Sequence, residues 1–274
     1  MSSPPIIIFL DGKMIPYDSR LIESLAPSSL KGEGVFETML CDNGRICFLK
    51  RHLTRFFYGL KILKLKSPYA ARQITEYLYA TLRLNKLKNA RIRLTVWQEK
   101  RRVRISIIAL VYAQPSQTKG YRVLFSDIKS SRPGRLSGVK SIDYALFHRA
   151  YKKAKDKGCD EAILLNSKGW IAEASRSNVF YVKNKKLYTP TVECGCLKGI
   201  TRQVVVELSR KHGIPVQMIK ATRGDLLAAE EVFLTNALIE VMPVFEIDGR
   251  PISKGRMGPQ TKKIIQIYVK NNGK

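Results

Sequence analysis

The sequence predicts an α+β protein built in two domains, and three features lead there. At 274 residues the chain exceeds the usual size of a single domain. Strand-like and helix-like segments are mixed without a regular βαβ rhythm, which argues against a doubly wound parallel sheet. Between the halves lies AQPSQTKG (113–120), rich in Pro, Ser and Gln and uncharged apart from Lys119, the composition of a connector. The predicted organisation is an N-terminal α/β domain over 1–113, a linker over 114–120 and a C-terminal mixed α/β domain over 121–274.

In chain order, Ile6–Leu10 and Met14–Ile15 flank Asp11-Gly12, a hairpin turn signal. Arg45–Leu49 reads as a strand. Arg51–Leu63 reads as a helix that gathers Leu53, Phe56, Phe57 and Leu60 on one side, and Tyr69–Leu84 as a second helix. Arg91–Trp97 and Val103–Ala113 are strands joined by a charged turn. The second half opens with a strand at Tyr121–Ser126 and a basic loop to Gly138. A helix over Tyr144–Lys157 stops at Gly158, a suitable C-cap. Short strands follow at Glu161–Asn166, Trp170–Ala172, Asn178–Val182 and Leu187–Thr189. Gly199 precedes a helix over Ile200–His212. Strands at Glu231–Leu234 and Met242–Ile247 lead to a last helix over Pro259–Val269.

Bulk composition narrows the function classes. Apolar residues make up 45% of the chain, enough for a core and unlike a disordered protein. The apolar run Ile6–Leu10 is too short for a membrane span or a signal segment, so the expectation is a cytoplasmic protein with no membrane partner. The five cysteines (41, 47, 159, 194 and 196) and three histidines (52, 148 and 212) show no metal-ligand spacing, which predicts free thiols and no metal. The formal charge of +27 attracts phosphate in general. Its Lys and Arg are dispersed over the whole chain, and no nucleic-acid-binding motif accompanies them, so no specific nucleic-acid partner is expected.

The chemistry is concentrated in separated segments. These are GEGVFET (32–38), HLTRF (52–56), GVKSIDY (138–144), DEAILLNSKGWIAEASRSNVF (160–180), LKGITR (197–202) and FLTNALIEVMP (233–243). Taken in order they resemble the class IV aminotransferases, the fold-type-IV pyridoxal-phosphate (PLP) enzymes, over about residues 10–270. That family includes branched-chain and D-amino-acid aminotransferases and 4-amino-4-deoxychorismate lyase. The resemblance implies a two-domain fold like that of D-amino-acid aminotransferase, with the cofactor at the domain junction and a homodimer as the active unit.

Residue by residue, Lys140 matches the lysine that holds PLP as an imine; read alone it is an ordinary surface lysine. Glu173 matches the carboxylate that keeps the cofactor's ring nitrogen protonated. Tyr144 matches a tyrosine that in some members bonds the phenolic oxygen, although a tyrosine opening a helix is as often packing. Arg55 matches the phosphate arginine, whose guanidinium suits a bidentate contact. Gly199, Ile200 and Thr201 lie where a helix begins and free N–H groups favour an anion, and the family places the phosphate there. Asn236 and Ala237 fall in the run that completes the phosphate site.

That run departs from the aminotransferase pattern. Ala237 stands where aminotransferases often carry a threonine or serine, and Thr235-Asn236-Ala237-Leu238 looks like aminodeoxychorismate lyase. Glu240 is more usual in the aminotransferases, and Asp143 replaces an asparagine of many relatives. The sequence therefore favours a small-molecule amino substrate and pyruvate elimination to p-aminobenzoate, on the route to folate. Two readings stay open beside it: an aminotransferase for branched-chain or D-amino acids using 2-oxoglutarate, and a scaffold of the same fold without catalysis. Lys140, Glu173 and Arg55 together speak against the last.

Overall fold

A computed structural model describes residues 5–17, 23–27, 29–130, 136 and 138–271. By backbone contacts the chain forms two compact units, Met1–Ala113 with Gly138–Tyr144, and Gln114–Ser137 with Ala145–Asn272.

The first unit is built on a six-stranded antiparallel sheet. It comprises β1 (Ile6–Leu10), β2 (Lys13–Tyr17), β3 (Gly34–Asp42), β4 (Arg45–Ile46), β5 (Ala90–Glu99) and β6 (Arg102–Val111), in the order β2-β1-β6-β5-β3-β4. Asp11 and Gly12, both at positive φ, make the two-residue turn that joins β1 to β2. Helix α1 (Leu49–Ile62) packs on β3, and α2 (Ala71–Leu84) on β1 and β6. The buried side of α1 is His52, Leu53, Phe56, Gly59 and Leu60, the spacing of one helical stripe with a histidine in it.

Segment 138–144 falls in this unit and not with the second half, where sequence composition put it. The cause is backbone pairing. Phe36 N–H donates to Lys140 O at 2.9 Å, Ile142 N–H donates to Gly34 O at 3.0 Å, and Val35 bridges Ser141 antiparallel. Ile142 joins Ile8, Phe36, Trp97 and Ile108 in a buried apolar cluster. Gly34 makes the approach possible, since a Cβ there would lie 2.6 Å from Val96 O and 2.9 Å from Ile142 Cδ1.

The second unit carries a nine-stranded mixed sheet. Its strands are β7 (Tyr121–Phe125), β8 (Glu161–Leu165), β9 (Ile171–Ala174), β10 (Asn178–Lys183), β11 (Lys186–Pro190), β12 (Val216–Ile219), β13 (Glu231–Asn236), β14 (Glu240–Ile247) and β15 (Arg250–Pro251). They run in the order β12-β11-β10-β13-β14-β7-β8-β9, with β15 on β14. The β11–β12, β14–β7 and β7–β8 pairs are parallel and the rest antiparallel. Helix α3 (Ala145–Asp156) packs on β8. Helices α4 (Ile200–Lys211) and α6 (Pro259–Asn271) pack on β13 and on each other, and α5 (Arg223–Leu227) is one short turn.

Residues 114–120 hold to this unit: Gln114 Nε2 donates to Leu238 O at 3.2 Å and Gln117 Nε2 to Val241 O at 3.1 Å. Both units mix helix and strand as an α+β fold does. Among the described residues, no helix is long and apolar enough to cross a membrane. All five cysteines are free thiols.

Candidate active site

In the first unit the site residues form two groups on β3 and its neighbours. Lys140, half-buried, places its Nζ 4.5 Å from the centre of the Phe36 ring and 5.7 Å from that of Tyr144. Tyr144 meets Phe36 edge to face, centroids 5.5 Å apart. Lys140 and Tyr144 are thus brought together over one aromatic ring.

Arg55 reaches the next residue of the same strand. Its Nε donates to Glu37 Oε1 at 2.7 Å and its Nη2 to Glu37 Oε2 at 2.6 Å, while His52 Nδ1 lies 2.7 Å from Oε2. Arg55 and His52 are three residues apart on α1, so both face β3. The bidentate fork expected for a phosphate is therefore taken by a carboxylate of the chain itself.

Burial pushes the Glu37 carboxyl up, but the Arg55 charge and the hydrogen bonds from His52 and Arg55 outweigh it and lower it to about 2. Burial also pulls His52 below its ordinary value, against the Glu37 hydrogen bond and charge and with the Arg55 and Lys140 charges. A neutral His52 beside an ionised carboxylate must carry its proton on Nδ1 and donate it.

In the second unit Glu173 is buried in β9, paired with Leu164 of β8, and its Oε2 accepts from Leu197 N–H at 3.0 Å. Asn178 Nδ2 donates to Leu197 O at 2.8 Å. Two residues on, Gly199 is the N-cap of α4 and provides no side-chain cap, with Ile200 and Thr201 buried behind it. Glu173, Asn178 and the start of α4 form one connected cluster. Below it Arg202 is buried, with Nη2 on Pro190 O at 2.9 Å and Nε on Thr189 Oγ1 at 3.3 Å.

The turn between β9 and β10 is held from two sides. Buried Glu161 accepts from Ser175 Oγ, from Arg176 N–H at 3.2 Å and from Ser177 Oγ at 3.3 Å. Asn236 Nδ2 donates to Arg176 O at 3.2 Å and Ser177 Oγ at 3.0 Å, while its Oδ1 accepts from Leu238 and Ile239 N–H at 2.8 and 2.9 Å. Its amide has two donors and one oxygen, and all are engaged. Asn236 thus clamps the three-residue loop between β13 and β14. Glu240, at φ 54, closes that loop in the left-handed position such hairpins use. Ala237 is the first residue of that loop, with a methyl group and backbone alone.

The family model described as amino-transferase class IV matches residues 34–247. The chain belongs to the class IV aminotransferases. A putative branched-chain-amino-acid aminotransferase of Methanocaldococcus jannaschii is 34% identical, over 95% of this chain and 94% of that protein. The D-alanine aminotransferase of Listeria monocytogenes is 28% identical, over 87% of this chain and 86% of that one. Among solved structures, the branched-chain aminotransferase of Thermoproteus uzoniensis with norvaline superposes with a TM-score of 0.86 at 30% identity, covering 97% of this chain and 94% of that one. A T.th. branched-chain amino acid aminotransferase complexed with N-(5'-phosphopyridoxyl)-L-glutamate gives a TM-score of 0.86 at 29% identity, covering 97% and 93%.

Class IV aminotransferases are PLP enzymes, and each unit offers groups of the kind that cofactor takes. The chain offers an amine at Lys140, a buried carboxylate at Glu173 and a helix start at Gly199 without a side-chain cap. The buried Thr235 hydroxyl, beside Asn236 and without a hydrogen-bond partner among the described residues, adds a donor of the kind a phosphate uses. Sequence reasoning named Arg55 but missed Glu37 and His52, although both fall inside the quoted segments. A signal was present: a glutamate inside the apolar strand GVFETML must be paired if buried, and HLTR supplies two partners a helical turn apart.

Proposed function

We propose that this enzyme transfers the amino group of a branched-chain amino acid to 2-oxoglutarate. The observation that carries the reading is the match, nearly end to end, to a relative named for that activity at 34% identity. The lyase reading, drawn from Asn236-Ala237-Leu238, gives way. In the structure that triplet belongs to a hairpin loop closed by Glu240, the aminotransferase-like residue, and Asn236 serves the loop. A second reading, transamination of a D-amino acid, is favoured by the similarity to the Listeria D-alanine enzyme.

When bound, PLP supplies a carbonyl carbon that captures the substrate amine and a ring that accepts the electron pair released at the α-carbon. Lys140 Nζ would take the proton from the α-carbon and deliver it to the former carbonyl carbon of the cofactor, the net shift that lets the substrate leave as a keto acid. Glu173 keeps a proton on the ring nitrogen, its carboxylate fixed through Oε2 by Leu197 N–H. The N–H groups of Ile200 and Thr201, opened by Gly199, hold the phosphate as a helix start holds an anion. Arg55, held by Glu37 through Nε and Nη2, adds a cation. Tyr144, beside Lys140, bonds the phenolic oxygen. The active unit is a homodimer in a reducing compartment, which suits five free thiols.

The test compares kcat/KM for glutamate formation from leucine plus 2-oxoglutarate, for the same reaction with D-alanine, and for p-aminobenzoate formation from aminodeoxychorismate. Leucine is expected to be preferred. A higher value with D-alanine moves the enzyme to the second reading, and p-aminobenzoate formation without transamination overturns both.

A further inference from the structure

Glu161 has no part in the roles above, yet it is 2% exposed at the start of β8 and takes four donors. Ala162 N–H at 3.1 Å and Ser175 Oγ meet Oε1, and Arg176 N–H at 3.2 Å and Ser177 Oγ at 3.3 Å meet Oε2. All four are neutral groups, so burying this carboxylate costs desolvation that an apolar side chain would avoid. Burial pushes its carboxyl up, and the hydrogen bonds from Ser175, Ala162 and Ser177, with the Arg176 charge, oppose that. What the carboxylate fixes is direction. An ionised carboxylate only accepts, so both serines point their protons at it. The Ser177 proton is then committed, and its oxygen is left to accept. Asn236 Nδ2 donates to that oxygen at 3.0 Å and to Arg176 O at 3.2 Å, which turns Oδ1 toward Leu238 and Ile239 N–H at 2.8 and 2.9 Å. The reversed amide would set Oδ1 against Arg176 O and its NH₂ against two N–H donors, so one orientation survives. In the sheet β13 and β8 are separated by β14 and β7, and this chain of bonds joins them.

We propose that Glu161 is the positioning residue of the loop between β13 and β14, its charge ordering the Ser177 proton and, through Ser177, the Asn236 amide that holds the loop for the cofactor phosphate. This rests on the reading of the Asn236-Ala237 run as part of the phosphate site. Every link is a contact within the second unit, and each side chain in it has its donors and acceptors matched. Ser177 is 4% exposed, so water does not compete for its proton.

The test uses purified holoenzyme of the wild type, Glu161→Gln, Ser177→Ala, Asn236→Ala and the double variant Glu161→Gln/Asn236→Ala. Two quantities are read: the dissociation constant for PLP after its removal and restoration, and the ³¹P resonance of the bound phosphate. Neither involves a substrate, so the outcome does not depend on which amino acid the enzyme prefers. Glu161→Gln is expected to weaken PLP binding by about three- to tenfold, the loss of one hydrogen bond, and to move the ³¹P resonance in the same direction as Asn236→Ala. In the double variant Glu161→Gln should add no further shift, because its effect runs through Asn236. A purely structural role would lower the melting temperature and leave the resonance in place, which overturns the proposal, as does a full additional shift in the double variant. If Asn236→Ala moves neither quantity, the reading of that run as part of the phosphate site fails and takes the proposal with it. If Asn236→Ala moves both and Glu161→Gln moves neither, that reading stands and only the Glu161 proposal falls. Should Glu161→Gln not fold, Ser177→Ala keeps the carboxylate with its three other donors and cuts the chain at its middle. A shifted resonance is then expected, and an unchanged one refutes the positioning role.

Discussion

Lys140 and Phe36 meet twice, through the backbone and through the side chains. Phe36 N–H donates to Lys140 O at 2.9 Å, and Lys140 Nζ lies 4.5 Å from the centre of the Phe36 ring. A lysine held at its main chain and lying over a ring is less free than a solvated surface lysine. Borohydride reduction of the yellow holoenzyme, followed by peptide mapping, should therefore place the pyridoxyl group on Lys140. Lys140→Ala should lower kcat by about 100- to 10,000-fold, the range for loss of a positioned acid–base group. Label on another lysine would end the assignment.

Acid should weaken this protein through Glu37. Its folded value is about 2 against an ordinary 4.5, so the folded state binds the proton less readily than the unfolded one. The stability this contributes is complete above about pH 5 and is lost as pH falls through the window from 4.5 to 2. The shift corresponds to about 3 kcal/mol. His52, also lowered in the folded state, acts with the same sign, losing its contribution as pH drops below 6.5. Arg55 and Lys140 are the charges facing this pair. Urea unfolding of wild type and Glu37→Gln should show a stability gap that narrows from pH 5 to pH 2. A gap independent of pH would mean that Glu37 is not ionised in the fold.

The elements legible in the sequence are those with a single exposed face. Helix α1 shows its stripe at 53, 56 and 60, and the Asp11-Gly12 turn announces β1 and β2. Strand β3 was not legible as a strand. It lies in the sheet between β5 and β4, and residues on both of its faces are buried, so it has no alternation to read and its glutamate looks like a motif letter. The strand β12 and the turn α5 are short and half-exposed, with no period at all. The start of α4 was legible from Gly199 before an apolar helical run, but the roles of Lys140 and Glu173 came from family resemblance alone, because a catalytic lysine and a surface lysine have the same spacing signature. The pairing of 138–144 with β3 spans about a hundred residues of chain, and no local pattern encodes it.

The formal charge of +27 invites nucleic acid, but the cations are scattered and partly paired. Lys153 is bonded to Asp127 at 2.7 Å, Arg223 to Asp248 at 2.5 Å, and Arg176 stacks on Tyr151 at 3.4 Å. A dispersed field gives weak, sequence-independent attraction. Binding to any DNA duplex should fall steeply between about 50 and 200 mM salt. Tight, sequence-selective binding at physiological salt, read by competition with unrelated duplexes, would show that the dispersal argument is wrong.

The start of α4 offers a sharper test, because one glycine there governs a chain of contacts. Gly199 has φ −62 and ψ 140, a conformation that any residue adopts, so its glycine is not needed for backbone freedom. It is needed for space, since a Cβ at 199 would lie 2.0 Å from Asn178 Oδ1. Gly199→Ala must turn the Asn178 amide away and break its 2.8 Å bond to Leu197 O, and Leu197 N–H is what holds Glu173. The substitution should cost about 1–3 kcal/mol of stability, the usual penalty for overpacking. Asn178→Ala alone should cost about 1 kcal/mol, the hydrogen bond it removes. In the Asn178→Ala background the obstacle is gone, and alanine at a compatible φ stiffens the unfolded chain, so adding Gly199→Ala should be neutral or stabilise by about 0.4–1 kcal/mol. The double-mutant cycle should then give a coupling of about 0.5–3 kcal/mol, with the double variant more stable than the sum of the single losses. Strict additivity would mean that the helix start yields without Asn178, and the link from Gly199 through Leu197 to Glu173 would be broken.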